Sequence, residues 1–248
     1  MWFVAVWGCK ADEPVDLVKD YVETELGSLA DAAGALQGAA PGTAWGATEA
    51  AAMQPAWKDA RVSYERVEGA IAVLFPDLDV STDERYDGFL AEGPDDDPFD
   101  AEGITGIHAI ERILWSDRIP PNVVAFESAL PGYAPASFPT TDADAASFRD
   151  GLCQRLVDDT RSMVEQFEPL ALDESTAFRG VIGSMAEQAE KVGLAGTGED
   201  ESRYAQHTLA DMRANLEGGV AIFEAFREQV HALDDGATES AIDDGYAR

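Results

Sequence analysis

WKDARVSYERVEGAIAVLF, residues 57–75, decides what kind of chain this is. Trp57, Ala60, Tyr64, Val67, Ile71 and Leu74 recur three and four residues apart, drawing one apolar seam along a helix. A seam of that kind packs against partner helices in a bundle. Glu65 and Glu68 each stand one residue beyond a seam position. They are three apart, so both carboxylates point the same way at the shoulder of the stripe. Taken alone the pair reads as a solvated flank, with Arg61 four residues ahead of Glu65 to neutralise part of its charge.

The flanking sequence extends the same pattern. A helix is expected over 15–36, where Val15, Val18, Val22, Leu29 and Leu36 share one face. The helix of the opening seam covers 49–75, and an acidic connection follows with a short helix near 83–90. The Pro-rich stretch 119–142 divides the chain. Further helices are expected over 143–167, 174–192 and 199–233, with a disordered tail over 234–248. No stretch alternates as a strand does. The expected fold is all-α, with two packed helical bundles: an N-terminal half over 13–118, a linker over 119–142 and a C-terminal half over 143–233. An internal duplication stays open.

The second informative stretch is GITGIHAIERILWSD, residues 103–117. Ile104, Ile107, Ile110, Ile113 and Leu114 mark a buried helix, yet His108 and Glu111 lie inside that apolar pattern. A buried carboxylate without a partner is costly or takes up a proton. Its partner is an arginine, a hydrogen-bond network or a metal, and an ordinary core histidine with Glu111 bonded to Arg112 is an equal alternative. The spacing is not HExxH, in which a second histidine completes a zinc site. One imidazole with several carboxylates is the donor set of iron, manganese or zinc. Helical bundles assemble such sites from a glutamate pair on one helix and a Glu/His pair on another.

Composition narrows the classes. The 248 residues carry 48 acidic and 17 basic side chains, a net charge of −31. Nucleic-acid binding is excluded as a default, because phosphate contacts need lysine and arginine. Binding to anionic lipid through a basic patch is excluded likewise. The acid excess and scarce lysine resemble the surfaces of proteins from salt-loving organisms, where screening weakens self-repulsion. Bulk charge therefore says little about metals, and only placed carboxylates count. Cys153 reads as a small core residue. Cys9 ends the apolar run MWFVAVWGC, which resembles the tail of a truncated lipoprotein signal, so residues 1–12 are expected to form a tether lipidated at Cys9. DDDPFDAEG lacks the glycine a calcium loop needs and reads as a solvated acidic loop. GTGED is not followed by the Lys-Ser/Thr of a phosphate loop, and no nucleophile elbow is present.

Together these segments resemble the imelysin-like family, which includes EfeO- and EfeM-type iron-uptake components. GIHAIE is similar to the family's G-x-H-x-x-E signature. AWKDARVSYERVEGAIAVLFPDLDVSTDER is similar to its Trp–Arg–Tyr-Glu-x-x-Glu helix with the acid-rich turn after it. GEDESRYAQHTLADMRANLEGG is similar to its C-terminal segment. The likeness spans about 15–230 and looks like the shorter, EfeM-like form. It implies a two-bundle helical fold with a metal site whose ligands here would be Glu65, Glu68, His108 and Glu111. An aspartate from the turn after the second helix is implied too, and Asp83 fits by position. A second-half glutamate is also implied; Glu187 is the expected one, with Glu190 and Glu199 as rivals. His207 matches a family position, and a structural or supporting role is expected for it.

The resemblance implies an extracytoplasmic protein at the cell surface or its periplasmic equivalent. It would capture ferrous or ferric iron and deliver it to a membrane iron permease, with zinc or copper also compatible with the donors. A monomer is expected, with no nucleic-acid partner and membrane contact only through a lipid on Cys9. The chain is expected not to be an enzyme. Two alternatives stand beside this: a metallopeptidase of the imelysin type, and a non-metal binding module with a structural His/Glu cluster.

Overall fold

Pro76 ends the seam helix. Proline disfavours the helical region for the residue before it, and Phe75 leaves the helix with φ −136° and ψ 57°. The helix so delimited, α2, runs Ala47–Leu74, and its seam residues Trp57, Ala60, Tyr64 and Val67 are fully buried. The computed structural model describes residues 13–247. Cys9 and the tether expected over 1–12 lie outside them.

Ahead of α2 lies α1, Pro14–Ala39. After it come α3, Pro76–Asp83, and α4, Tyr86–Glu92, where a single short helix was expected. The signature helix α5 is Gly106–Leu114, and α6, Pro121–Glu127, lies inside the Pro-rich linker. α7, Asp142–Ser147, continues through a π-helical segment, Phe148–Cys153, into α8, Gln154–Phe167. α9 is Glu174–Leu194 and α10 is Thr208–Leu233. Among the described residues the regular structure is helical throughout, an all-α fold.

α2 is the common wall. It packs against α1 on one side and against α9 and α10 on the other, and α3 and α5 pack on it as well. Trp57 meets Trp115 edge-on at 5.1 Å and donates its indole N–H to the Ile107 carbonyl at 2.9 Å, tying α2 to α5. Cys153 is buried in the core, as expected of a small apolar residue. Among the described residues no helix is long and apolar enough to cross a membrane.

The disordered tail expected over 234–248 is corrected by a further helix, α11, Ala237–Tyr246. Asp234 accepts the Thr238 amide and hydroxyl at 3.0 and 2.7 Å, which starts the helix. Arg227 of α10 then reaches across to Glu239 at 2.7 Å and Asp243 at 2.8 Å. These contacts lie up to 16 residues apart, beyond what local composition reveals.

Three glycines bring the site elements together. At Gly69 of α2 and Gly183 of α9 the backbones touch, and a side chain on either would run into the other helix. Gly106, the glycine of the signature, holds φ +84°, and a side chain there would collide with the Thr82 carbonyl. Only glycine adopts that conformation without strain. It lets the start of α5 press against the end of α3, next to Asp83. Gly106→Ala combines left-handed strain with overpacking, each about 1–3 kcal/mol. The expected outcome is a loss of roughly 2–5 kcal/mol, checked by urea unfolding with an unchanged m-value.

Candidate metal centre

Glu65 and Glu68 are 1% and 3% exposed, so the solvated-flank reading of the pair does not hold. They lie in a buried polar layer between α2, α3, α5, α9 and the turns of residues 195–207. Arg61, fully buried on the same helix, donates to Glu65, to Asp83 and to Glu201, the last at 2.8 Å. Its Nε stands 3.6 Å from Asp211 of α10. Lys191 of α9, also fully buried, donates to both oxygens of Glu65 at 3.0 and 2.8 Å and to Glu68 at 2.6 Å.

His108 faces this layer. Its Nδ1 lies 2.8 Å from Glu111 Oε2. Glu111 Oε1 accepts the backbone amides of Tyr204 and Ala205 at 3.0 and 2.7 Å. Glu111 is therefore bonded to Nδ1 rather than to Arg112, which pairs with Glu127 at 3.2 Å instead. A carboxylate on Nδ1 fixes the ring and leaves Nε2 pointing inward, the arrangement commonly seen behind metal-binding imidazoles. Nε2 lies 3.3 Å from Asp83 Oδ1 and 3.4 Å from Glu201 Oε1.

Two donor triads result. Asp83, His108 and Glu201 form one; Glu65, Glu68 and Glu201 form the other, and within each the donor atoms lie within 4.8 Å of one another. Ligand bonds of about 2.0–2.4 Å on opposite sides of one ion span roughly that distance. Glu201 belongs to both triads. Of the expected ligands, the structure brings Glu65, Glu68, Asp83 and His108 into these triads. Glu111 stands behind the imidazole. Glu187 is half-buried on the wall of the opening, outside both triads, and Glu190 bonds Arg85 at 2.7 Å. His207 packs edge-on against Trp57 at 6.1 Å, a structural position.

The expectation of a helix from residue 199 is also corrected. α10 begins at Thr208, and residues 199–207 form turns that turn Glu201 inward. The density of Gly196, Thr197, Gly198, Asp200 and Ser202 is the sequence signal for such turns.

Electrostatics divides the carboxylates. Burial pushes Glu201 up, but its bond with His108 and the charges of Lys191 and Arg61 outweigh that and hold it well below its usual range. Asp83 is lowered in the same sense, burial being outweighed chiefly by Arg61. Burial raises Glu65 and Glu68 despite Arg61 and Lys191. Burial and Arg61 push His108 down, and its bonds to Asp83, Glu111 and Glu201 prevail, leaving it well above an ordinary imidazole.

A cleft of about 200 Å³ opens onto the triads, lined by Glu68, Asp79, Val80, Asp83, Glu84, Arg85, Glu187, Glu190 and Glu201. Burial pushes Asp79 up to about 7, and burial with the Glu68 charge pushes Glu187 up to about 7. Both ordinarily titrate near 4, so the fold favours their neutral forms. That stabilisation is complete below pH 4 and is lost as pH rises through about 7. His108, also raised, acts in the same direction. The melting temperature of metal-free protein is therefore expected to fall from about pH 5 to pH 8, and Asp79→Asn to flatten the fall in differential scanning calorimetry.

Comparison with known proteins follows the same lines. The family model Peptidase_M75, described as Imelysin, matches residues 19–248. "Iron uptake system component EfeM" of Pseudomonas syringae pv. syringae (strain B728a) is 29% identical over 187 residues, 75% of this chain and 52% of that protein. "Iron uptake system component EfeO" of Yersinia pseudotuberculosis serotype I (strain IP32953) is 28% identical over 221 residues, 89% of this chain and 48% of that protein. The EfeO of Escherichia coli (strain K12) is 28% identical over 170 residues, 68% of this chain and 36% of that protein. The chain spans about half the length of the first two relatives.

Proposed function

The chain belongs to the imelysin family, and from that premise we propose that it is an iron-binding component of an iron-uptake system. It takes iron as cargo at Asp83, His108 and Glu201, outside the cytoplasm, and passes it as a monomer to a membrane permease. A lipid on Cys9 would keep it close to that permease. The observation that carries the reading is the meeting of one oriented imidazole with carboxylates from α3 and the 195–207 turns, within ligand reach of one another. The names of the curated relatives, iron-uptake components, agree with it.

Each side chain has a separate task. Asp83, His108 and Glu201 supply oxygen and nitrogen donors of the kind iron accepts, and zinc or copper fit the same set. Glu111 orients the ring and leaves Nε2 free to ligate. Glu65 and Glu68, held by Lys191 and Arg61, stand beside the ligand triad, while Asp79 and Glu187, pushed up to about 7, attract cations at the mouth of the cleft as they ionise. Calorimetric titration with ferrous iron under anaerobic conditions, and with chelated ferric iron, tests this. Saturable binding that His108→Ala abolishes is the expected result; binding unchanged in that variant would remove the site, and no saturable binding would favour a structural cluster.

The family model's peptidase name suggests a hydrolytic alternative. A catalytic zinc site keeps an open position beside a free general base. The nearest such base to His108, Glu111, is already committed to the ring and two backbone amides. Metal-dependent cleavage of casein, lost in Glu111→Gln, would establish the hydrolytic alternative.

A further inference from the structure

Arg61 and Asp211 face one another across an unmade bond. Asp211 of α10 is fully buried, and neither carboxylate oxygen has a hydrogen-bond partner. Arg61 Nε, buried as well, also lacks one. The two stand 3.6 Å apart, beyond the length of about 2.7–2.9 Å of a charge-assisted bond. Burial pushes Asp211 up, and neither Arg61 nor the Ser202 hydroxyl, itself unbonded, offsets that. Buried polar groups are nearly always bonded, so a donor and an acceptor left open side by side call for a reason.

The other end of the guanidinium is engaged at the ligand triad. It donates to Asp83 Oδ1 and, at 2.8 Å, to Glu201 Oε1. These are the oxygens that lie 3.3 and 3.4 Å from His108 Nε2. A cation bound by Asp83, His108 and Glu201 takes the same oxygens and sets a second positive charge against Arg61. Arg61 therefore has to yield them, and a buried guanidinium needs an acceptor elsewhere. Glu65, on its own helix, stays bonded to it. Asp211 belongs to neither triad and is open. Drawing Nε in from 3.6 Å to an ordinary length takes a shift of only about 1 Å.

We infer that Asp211 is a positioning residue for metal entry: it receives Arg61 when the cargo displaces the guanidinium from Asp83 and Glu201. The inference rests on the metal-binding reading of the cluster. Without cargo, Arg61 neutralises the ligand carboxylates and keeps the buried layer paired. With cargo, Arg61 turns to Glu65 and Asp211, and two positive charges no longer share one pair of oxygens. Asp211 itself touches no metal and acts only through Arg61.

Anaerobic calorimetry with ferrous iron on the full chain tests this through a double-mutant cycle. Asp211→Asn is expected to weaken binding by about 10-fold, the scale of a residue acting behind the ligands. In Arg61→Met, which has no guanidinium to receive, the same change should leave affinity unaltered. Should Arg61→Met fail to fold, Arg61→Gln is measured in its place. A second readout needs no Arg61 variant. In protein carrying isotope-labelled arginine, saturation with Zn²⁺, a diamagnetic probe for the same donors, should move the Arg61 Nε–H proton resonance downfield as its bond to Asp211 forms. Asp211→Asn should abolish that shift. Unchanged iron affinity in Asp211→Asn, a loss that persists without Arg61, or a resonance unmoved by bound zinc overturns the inference and leaves the metal-binding reading intact. No saturable iron binding in wild type overturns both.

Discussion

Glu201→Gln is expected to weaken metal binding more than any other single carboxylate change. Glu201 is the member common to both donor triads, and one of its oxygens faces both Arg61 at 2.8 Å and His108 at 3.4 Å. Loss of a supporting residue behind a metal ligand lowers affinity by about 10–100-fold. Loss of a shared ligand should exceed the upper end of that range, roughly 100-fold. The isosteric amide keeps the shape of the side chain but cannot supply the charge. Calorimetry with ferrous iron, read against Glu187→Gln, checks it. Glu187 lines the cleft outside both triads, so its loss should lower affinity only a few-fold through the field at the mouth. Equal losses in the two variants would argue that the field alone, not ligation, attracts the cation.

The second large effect concerns stability. Arg61→Met leaves Glu65, Asp83, Glu201 and Asp211 buried around a neutral side chain. Breaking a buried ion pair by removing one partner costs about 3–5 kcal/mol, since the other charge is left uncompensated. In a domain of this length about 1 kcal/mol moves the melting temperature by roughly 2–4 °C. A fall on the order of 10 °C at neutral pH is therefore expected. Carboxylates deprived of Arg61 shift to higher folded-state pKa values, so their neutral forms are favoured in the fold. The deficit should accordingly shrink as pH falls and widen as it rises. A deficit independent of pH between 5 and 8 would mean that Arg61 contributes packing rather than charge.

Part of this is legible in the chain itself. The seam of α2 was plain, because Trp57, Ala60, Tyr64 and Val67 are buried in the order their spacing demands. The same periodicity put Glu65 and Glu68 on one side, though only the packing of α9 and α10 makes that side interior. His108 and Glu111 stood out because they interrupt an apolar helix, and Glu111 proved to be the partner of the ring. Glu201 was not legible. Its neighbours Arg61 and His108 are 140 and 93 residues away, and the turns that expose it to them carry no periodic pattern. Glu187 was the second-half ligand expected from the family resemblance, whereas the triads take Glu201 from the turns after that helix.

Lys191 was equally hidden. A lysine in the last turn of α9 reads as a favourable partner of the helix dipole facing water. Its burial follows from the glycine contact that draws α9 onto α2, which periodicity does not encode. The tail failed for a related reason. Its polar composition suggested fraying, while Arg227 and Asp234 secure it through ion pairs and a helix start that only the fold brings into register.

The most direct test is an anomalous-difference map at the iron absorption edge, from crystals of the full chain loaded with ferrous iron. The account predicts one peak within about 2.0–2.4 Å of His108 Nε2 and of oxygens from Asp83 and Glu201, with Glu111 still on Nδ1. Iron held elsewhere on the acidic surface, or no peak in saturated crystals, would contradict it.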